Sequence, residues 1–254
     1  MLKSIFHILF ISLTLSLLIS CGAQTPSLPA FNPGDSATEE ELQIDRLFPT
    51  QSVKKWNYKF REVKYSYYYD MVIYEFNGTE TWEVFPADPP YVSIRQSGQG
   101  YFVTTRAVYK KTSSTLILNN LKYEYESDPQ GFNGMLLYLP VQLGFTWKAD
   151  LPFQGHDFYL TMKDGENKIS TISDIAYTPA GTFSHCVRTD FTADNIKTFQ
   201  DTGSASVSCA ITNWYTPDIG IVKNKSVLNI TSTQDTSIDE KIDINRELQS
   251  YEGY

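Results

Sequence analysis

Between residues 46 and 232 apolar and polar positions alternate in short runs. "LKYEYES", residues 121 to 127, sets Tyr123 and Tyr125 against charged neighbours, the period-two pattern of a half-buried strand. "YSYYYDMVIYEF", residues 65 to 76, is dense in β-formers, and Asn77-Gly78 behind it predicts a tight hairpin turn returning through "TETWEVF". "YFVTTRAVYKK" and "STLILNN" continue the pattern, and Asp164-Gly165 predicts a second hairpin turn between "DFYLTMK" and "ENKISTISDIAY". This spacing predicts an all-β fold: an antiparallel meander forming a barrel, half-barrel or sandwich. Residues 235–254, "DTSIDEKIDINRELQSYEGY", lose alternation and gain charge, so 233–254 reads as a charged C-terminal tail, either a short surface helix or a frayed end.

A weak internal repeat runs through the pattern. Phe48-Pro49-Thr50-Gln51 leads to Trp56, and Leu139-Pro140-Val141-Gln142 leads to Trp147 at the same interval. Proline is tolerated at the head of a strand, and the tryptophan would then fill the core. The repeat suggests two similar β units packed together, or else a coincidence of a few positions.

The amino-terminal segment obeys a different pattern. Lys3 precedes an apolar run from Ile5 to Ile19, too short for a comfortable bilayer span and flanked as a secretory signal is. Leu18-Ile19-Ser20-Cys21 resembles the lipobox of bacterial lipoproteins. That resemblance implies a signal peptide over 1–20, cleavage between Ser20 and Cys21, and lipidation of Cys21. Two or three acyl chains make a stable anchor where one is marginal. Gly22 in place of Asp favours, by the same resemblance, the outer membrane or cell surface over the inner membrane. Residues 21–45, rich in Pro, Gly and small polar residues with a Glu39-Glu40-Glu41 cluster, read as a flexible tether. Its root-mean-square reach is about 25–30 Å. The β domain then occupies 46–232.

Two motifs in the second half are turns. In "TPAGTF", residues 178 to 183, Pro179 presets φ and Gly181 suits the fourth turn position, and "TPDIG", residues 216 to 220, repeats the device. With "WYTPDIGIVK", "TPAGTFSHC" resembles a group of uncharacterised bacterial lipoproteins and secreted β-domain proteins. The resemblance implies a twisted antiparallel sheet akin to the half-barrel of lipoprotein carriers. It brings no activity and no catalytic residue.

Composition narrows the chemistry. The net charge is −8 at pH 7, and loss of Lys3 with the leader takes it to about −9, which excludes an electrostatic footprint for nucleic acid or anionic headgroups. Cys186 and Cys209 remain once Cys21 is modified, and an even pair in an exported domain reads as a disulfide, with two buried free thiols as the alternative. His156 and His185 are the remaining histidines, with no metal-ligand spacing and no nucleophile elbow, so no metal, cofactor or catalytic residue is expected. Tyr65, Tyr67 and Tyr69 would line one strand face and Tyr68 and Tyr74 the other, as structure or as a platform that stacks sugars or grips a partner.

The expected function is a lipid-anchored, non-enzymatic binding or structural module of the bacterial envelope, its partner an envelope protein or an apolar ligand. A carrier or chaperone for an acyl chain or lipoprotein is the alternative, and an envelope hydrolase using His156 or His185 the third. Intact-mass analysis of the protein from its own cells should show residues 1–20 lost and Cys21 carrying acyl mass. Cys21→Ser should retain the leader and release the protein from the membrane fraction on cleavage elsewhere; a bare Cys21 thiol would overturn the anchor.

Overall fold

The computed structural model describes residues 38–99, 104–123, 130–199, 203–232 and 239–253. Ser20 and Cys21 lie outside them. A single turn of helix, α1 (Ile44–Leu47), precedes twelve strands. The first six are β1 (Val53–Ser66), β2 (Met71–Phe85), β3 (Tyr91–Gly98), β4 (Thr105–Lys111), β5 (Thr115–Tyr123) and β6 (Gln130–Tyr138). The second six are β7 (Thr146–Gln154), β8 (Tyr159–Thr178), β9 (Gly181–Phe199), β10 (Gly203–Thr216), β11 (Gly220–Ser232) and β12 (Glu240–Gly253). All belong to one antiparallel sheet in the order β6-β5-β4-β3-β2-β1-β12-β11-β10-β9-β8-β7, a nearly closed barrel.

The order resolves into two six-stranded meanders, β1–β6 and β7–β12, joined by the long β1–β12 ladder from Val53↔Gly253 to Ser66↔Glu240. Each proline-to-tryptophan repeat stands at the head of one meander, with Trp56 in β1 and Trp147 in β7. The barrel's seam lies between β6 and β7, which are consecutive in the chain, and no ladder pairs them among the described residues. Trp147 Nε1 crosses the seam to donate to the Met135 carbonyl at 2.7 Å. A Cβ on Gly134 would stand 3.0 Å from the Asp150 carbonyl, so glycine permits the close approach.

Local turn chemistry was decisive in two places and overruled in two. "TPAG" and "TPDIG" are turns, between β8 and β9 and between β10 and β11, with Asp218 and Gly220 at φ 66° and 96°. Asn77-Gly78, expected to be a turn, lies inside β2, and the chain reverses instead over Tyr67 to Asp70, where Asp70 takes φ 51°. Gly78 pairs with Phe60, and a Cβ there would stand 3.1 Å from the Phe76 ring. Asp164-Gly165 is likewise not a turn: β8 continues through it, with Asp164 at φ 54° and the register against β7 shifting between Ala149 and Leu151, the signature of a bulge. A Cβ on Gly165 would meet two Phe191 ring carbons at 2.2 Å.

Both expected segment boundaries also move. Residues 240–253, expected to be tail, form β12 in the middle of the sheet, with Ile242, Ile244, Arg246 and Leu248 buried. The end of the expected tether is folded too. Thr38 and Glu41 form a reciprocal capping box, Thr38 N–H to Glu41 Oε2 at 2.7 Å and Glu41 N–H to Thr38 Oγ1 at 3.3 Å. This hydrogen bonding holds the Glu41 carboxyl below its ordinary range. Ile44, Leu47 and Phe48 then plug one end of the barrel, the base, where Phe48 packs on Trp56 and Tyr109. Each such fully buried side chain contributes about 1.5–3 kcal/mol.

Inside, two apolar clusters are separated by polar groups. The base cluster runs from α1 to Trp82, Leu118 and Tyr215, and the second contains Phe60, Phe153, Met162, Phe191 and Leu228. Between them Arg246 donates to Glu80 Oε2 at 2.6 Å, Asn224 Oδ1 at 3.1 Å and the Gln154 carbonyl at 2.9 Å, and its guanidinium covers the Phe60 ring. Trp82 Nε1 completes the Glu80 carboxylate at 2.9 Å. Arg246 and Glu80 are thus paired and hydrogen-bonded, which their burial requires.

Gly165→Ala should destabilise the protein by about 1–3 kcal/mol through overpacking against Phe191. Urea denaturation checks this, with Gly131→Ala, where a Cβ meets nothing within 4 Å, as the comparison that should change little.

Candidate functional site

The end of the barrel opposite α1 carries the features that remain after the core is accounted for. β1, fourteen residues long, separates this tip from the base by about 46 Å at ~3.3 Å per residue. At the β1–β2 turn Tyr67, Tyr68 and Tyr69 are 50%, 58% and 64% exposed, and Met71, Val72 and Ile73 beside them are about half exposed. The expected strand of tyrosines is therefore a turn, because β1 ends at Ser66. The polar ends of two rings are committed to their own chain: Tyr65 Oη donates to Asp70, and Tyr67 Oη to Asn229 Oδ1 at 3.2 Å. Tyr68 and Tyr69 pack edge to face with centroids 4.9 Å apart. What these side chains turn to solvent is chiefly ring and aliphatic surface.

Just inside the tip sits a buried carboxylate. Glu62 occupies an inward position of β1, two residues beyond Phe60, and is fully buried. Tyr74 Oη donates to its Oε1, and the His156 backbone N–H donates to its Oε2 at 2.9 Å. The His156 imidazole places Nδ1 3.2 Å from Glu62 Oε2 and 3.7 Å from Asp157 Oδ1. His156 is held there by stacking on Phe76, centroids 4.6 Å apart and planes 12° apart. Burial first, then the bond to Glu62, hold the Tyr74 phenol well above its ordinary range. The short β7–β8 connection packs directly on the carboxylate: a Cβ on Gly155 would meet Glu62 Oε2 at 2.9 Å and the Phe158 ring at 2.3 Å.

His185 sits apart from this group, at the base end of β9. It takes φ 56°, with Nδ1 3.6 Å from Glu41 Oε1. The polar layer below the tip borders an interior cavity of about 80 Å³, lined among others by Gln96, Asn213, Asn224 and Arg246. That space suits a few waters and is far below the roughly 300 Å³ of an ordinary ligand pocket. At the base a groove of about 410 Å³ lies between the Pro86–Pro90 loop and Lys111. The Lys111 ammonium is already held by Asp45 Oδ1 at 2.7 Å and the Phe48 carbonyl at 3.3 Å.

The expected disulfide is not formed. Cys186 and Cys209 are free buried thiols. A bulge around His185 turns Cys186 inward beside Phe183 and Val187, but Cys209 pairs with Ala193, seven residues further along β9. That places the two about 23 Å apart along the strand at ~3.3 Å per residue, and a bridge needs Cα atoms within about 7 Å. They belong to different apolar clusters. The Glu62–His156 meeting had no counterpart in the sequence reading, because the two are 94 residues apart and no spacing links them.

No protein-family model matches the chain, and no curated protein matches it. Among solved structures it is similar to a candidate lipoprotein of Parabacteroides distasonis, at 10% identity and TM-score 0.42 over 82% of this chain and 98% of that one. It is also similar to a candidate exported protein of Bacteroides fragilis with a YmcC-like fold, at 11% identity and TM-score 0.38 over 79% and 99%.

Burial pushes the Cys186 thiol up to about 11 and the Cys209 thiol up to about 12. At pH 8 the thiolate fraction is then about one in a thousand or less. A chromogenic disulfide reagent should therefore find no fast-reacting thiol in the folded β domain and two on denaturation. Because both values are raised over the unfolded thiol, their stabilising effect is complete below about pH 8.5 and is lost as pH rises toward the folded values. Denaturant midpoints measured from pH 8 to 11 should fall, and less so in Cys209→Ala.

Proposed function

We propose that this protein is a lipid-anchored, non-enzymatic binding module of the bacterial envelope that presents the tyrosine-rich tip to an apolar-faced protein partner. One observation carries the reading: the contiguous exposed surface of Tyr67, Tyr68, Tyr69, Met71, Val72 and Ile73. Tyrosine supplies large contact area at low entropic cost and is enriched where binding energy concentrates. The aliphatic neighbours Met71, Val72 and Ile73, and the Tyr67 hydroxyl already bonded to Asn229, favour an apolar protein surface over a sugar.

Position supports the same reading. Residue 38, from which the chain leads back to Cys21, belongs to the base beside α1. The tip lies at the opposite end of the barrel, the full fourteen-residue length of β1 away. The outer membrane or cell surface is the proposed location, on the Gly22 that follows the lipidation site.

A carrier of acyl chains is the second reading, and it draws on the seam. The closed interior offers about 80 Å³, so a chain could enter only if β6 and β7 parted, and those are the neighbours that no ladder joins among the described residues.

A photo-crosslinking residue at position 68, expressed in the protein's own cells, should give a discrete protein adduct that the same residue at position 177, exposed at the base, does not. The adduct should disappear when Tyr67 and Tyr69 are both changed to Ser, with the melting temperature unchanged. Identical adducts from positions 68 and 177, or none, would overturn the tip as a docking surface.

A further inference from the structure

The Glu62 carboxylate sets an electrostatic problem that the chain alone leaves open. It is fully buried, and among the described residues no lysine or arginine pairs with it. The nearest cations along its strands are spent elsewhere: Lys64 on Glu240 at 2.7 Å, Arg61 on Glu75 at 2.9 Å and Arg246 on Glu80 at 2.6 Å. A buried carboxylate is costly without a counter-charge, which within the chain only the His156 imidazole, 3.2 Å from Oε2, is placed to supply among the described residues. Its two oxygens are also differently employed. Oε1 is held by the Tyr74 hydroxyl, while Oε2 takes the His156 N–H and turns its remaining lone pair toward the imidazole Nδ1.

We infer that Glu62, His156 and Asp157 form a binding site for a divalent transition cation of the zinc, iron or manganese class. Their three ligand atoms lie within 4.8 Å of one another. A tetrahedral ion with bonds of about 2.0–2.1 Å spaces its ligands by roughly 3.3–3.4 Å. The observed separations, 3.2 Å from Glu62 Oε2 to His156 Nδ1 and 3.7 Å from Nδ1 to Asp157 Oδ1, bracket that edge. One imidazole nitrogen with two carboxylate oxygens suits these metals better than calcium or magnesium, which prefer all-oxygen shells.

The surroundings are those of a ligand held in place. Tyr74 orients Glu62 through Oε1, and Phe76 fixes the imidazole plane by stacking; such outer contacts commonly govern metal affinity. Asp157, whose side chain is 55% exposed, closes the solvent side, leaving the fourth position open to water or to a donor from a partner. The site and the tyrosine turn share one end of the barrel. The inference does not rest on the docking role, since the cluster is built from side chains the tip surface does not use.

The test is titration calorimetry of the chelator-treated full mature chain with zinc, and separately with manganese and magnesium. One zinc or manganese per chain is expected, with magnesium at least tenfold weaker. His156→Ala and Glu62→Gln should each weaken zinc by tenfold or more. Asp157→Asn, exposed and so harmless to folding, should weaken it severalfold, and His185→Ala should leave it unchanged. Circular dichroism confirms that each variant is folded, and where Glu62→Gln is not, His156→Ala and Asp157→Asn decide. No saturable binding, binding insensitive to His156→Ala, or binding abolished by His185→Ala would each overturn the site. So would a metal-free protein whose stability depends on His156 only through pH, the mark of a simple imidazolium–carboxylate pair.

Discussion

The barrel depends on joining its two meanders through β12, and the buried Arg246–Glu80 pair is where that joint is tied. Arg246 belongs to the last strand and Glu80 to the second, with β1 between them, and the same guanidinium reaches Asn224 on β11 and the backbone of β7. Five strands are thereby referred to one side chain. Removing either partner would strand a charge in the core at a cost of about 3–5 kcal/mol. An apolar replacement of both would keep the packing and lose the directionality that sets β12 against β1 in one register.

That polar layer explains why the interior divides into two apolar clusters. Below it, large aromatics and α1 fill the base; above it, smaller aliphatic side chains and Phe rings give way to Glu62 and then to solvent. The interior thus runs from the aromatic base through the Arg246 layer to the Glu62–His156 contact beneath the tip.

Much of this was legible in the sequence, and the failures have physical causes. Period-two alternation and the proline-led turns announced an antiparallel meander, and the paired proline-to-tryptophan repeats sat where each meander begins. Asn77-Gly78 and Asp164-Gly165 misled because glycine there answers to ring packing, beside Phe76 and beneath Phe191, not to a turn. β12 was hidden by its inward arginine. Ile242, Ile244 and Leu248 do alternate, but a charged residue at the Arg246 position breaks the apolar pattern, and only Glu80, far away in sequence, makes its burial acceptable. The pairing of the cysteines failed for the opposite reason. Parity suggests a bridge, whereas register alone decides distance. The Glu62–His156 contact, joining β1 to the β7–β8 connection, belongs to tertiary structure and leaves no local trace.

The pairing of β1 with β12 has a consequence for biogenesis. β1 finds its permanent neighbour in β12, with Val53 opposite Gly253. Contacts of such sequence separation form late and slowly. A chain that lacks β12 holds an incomplete sheet with open edges, which are sticky. The architecture thus makes completion of the sheet wait for β12, and until that strand arrives β1 keeps an exposed, sticky edge.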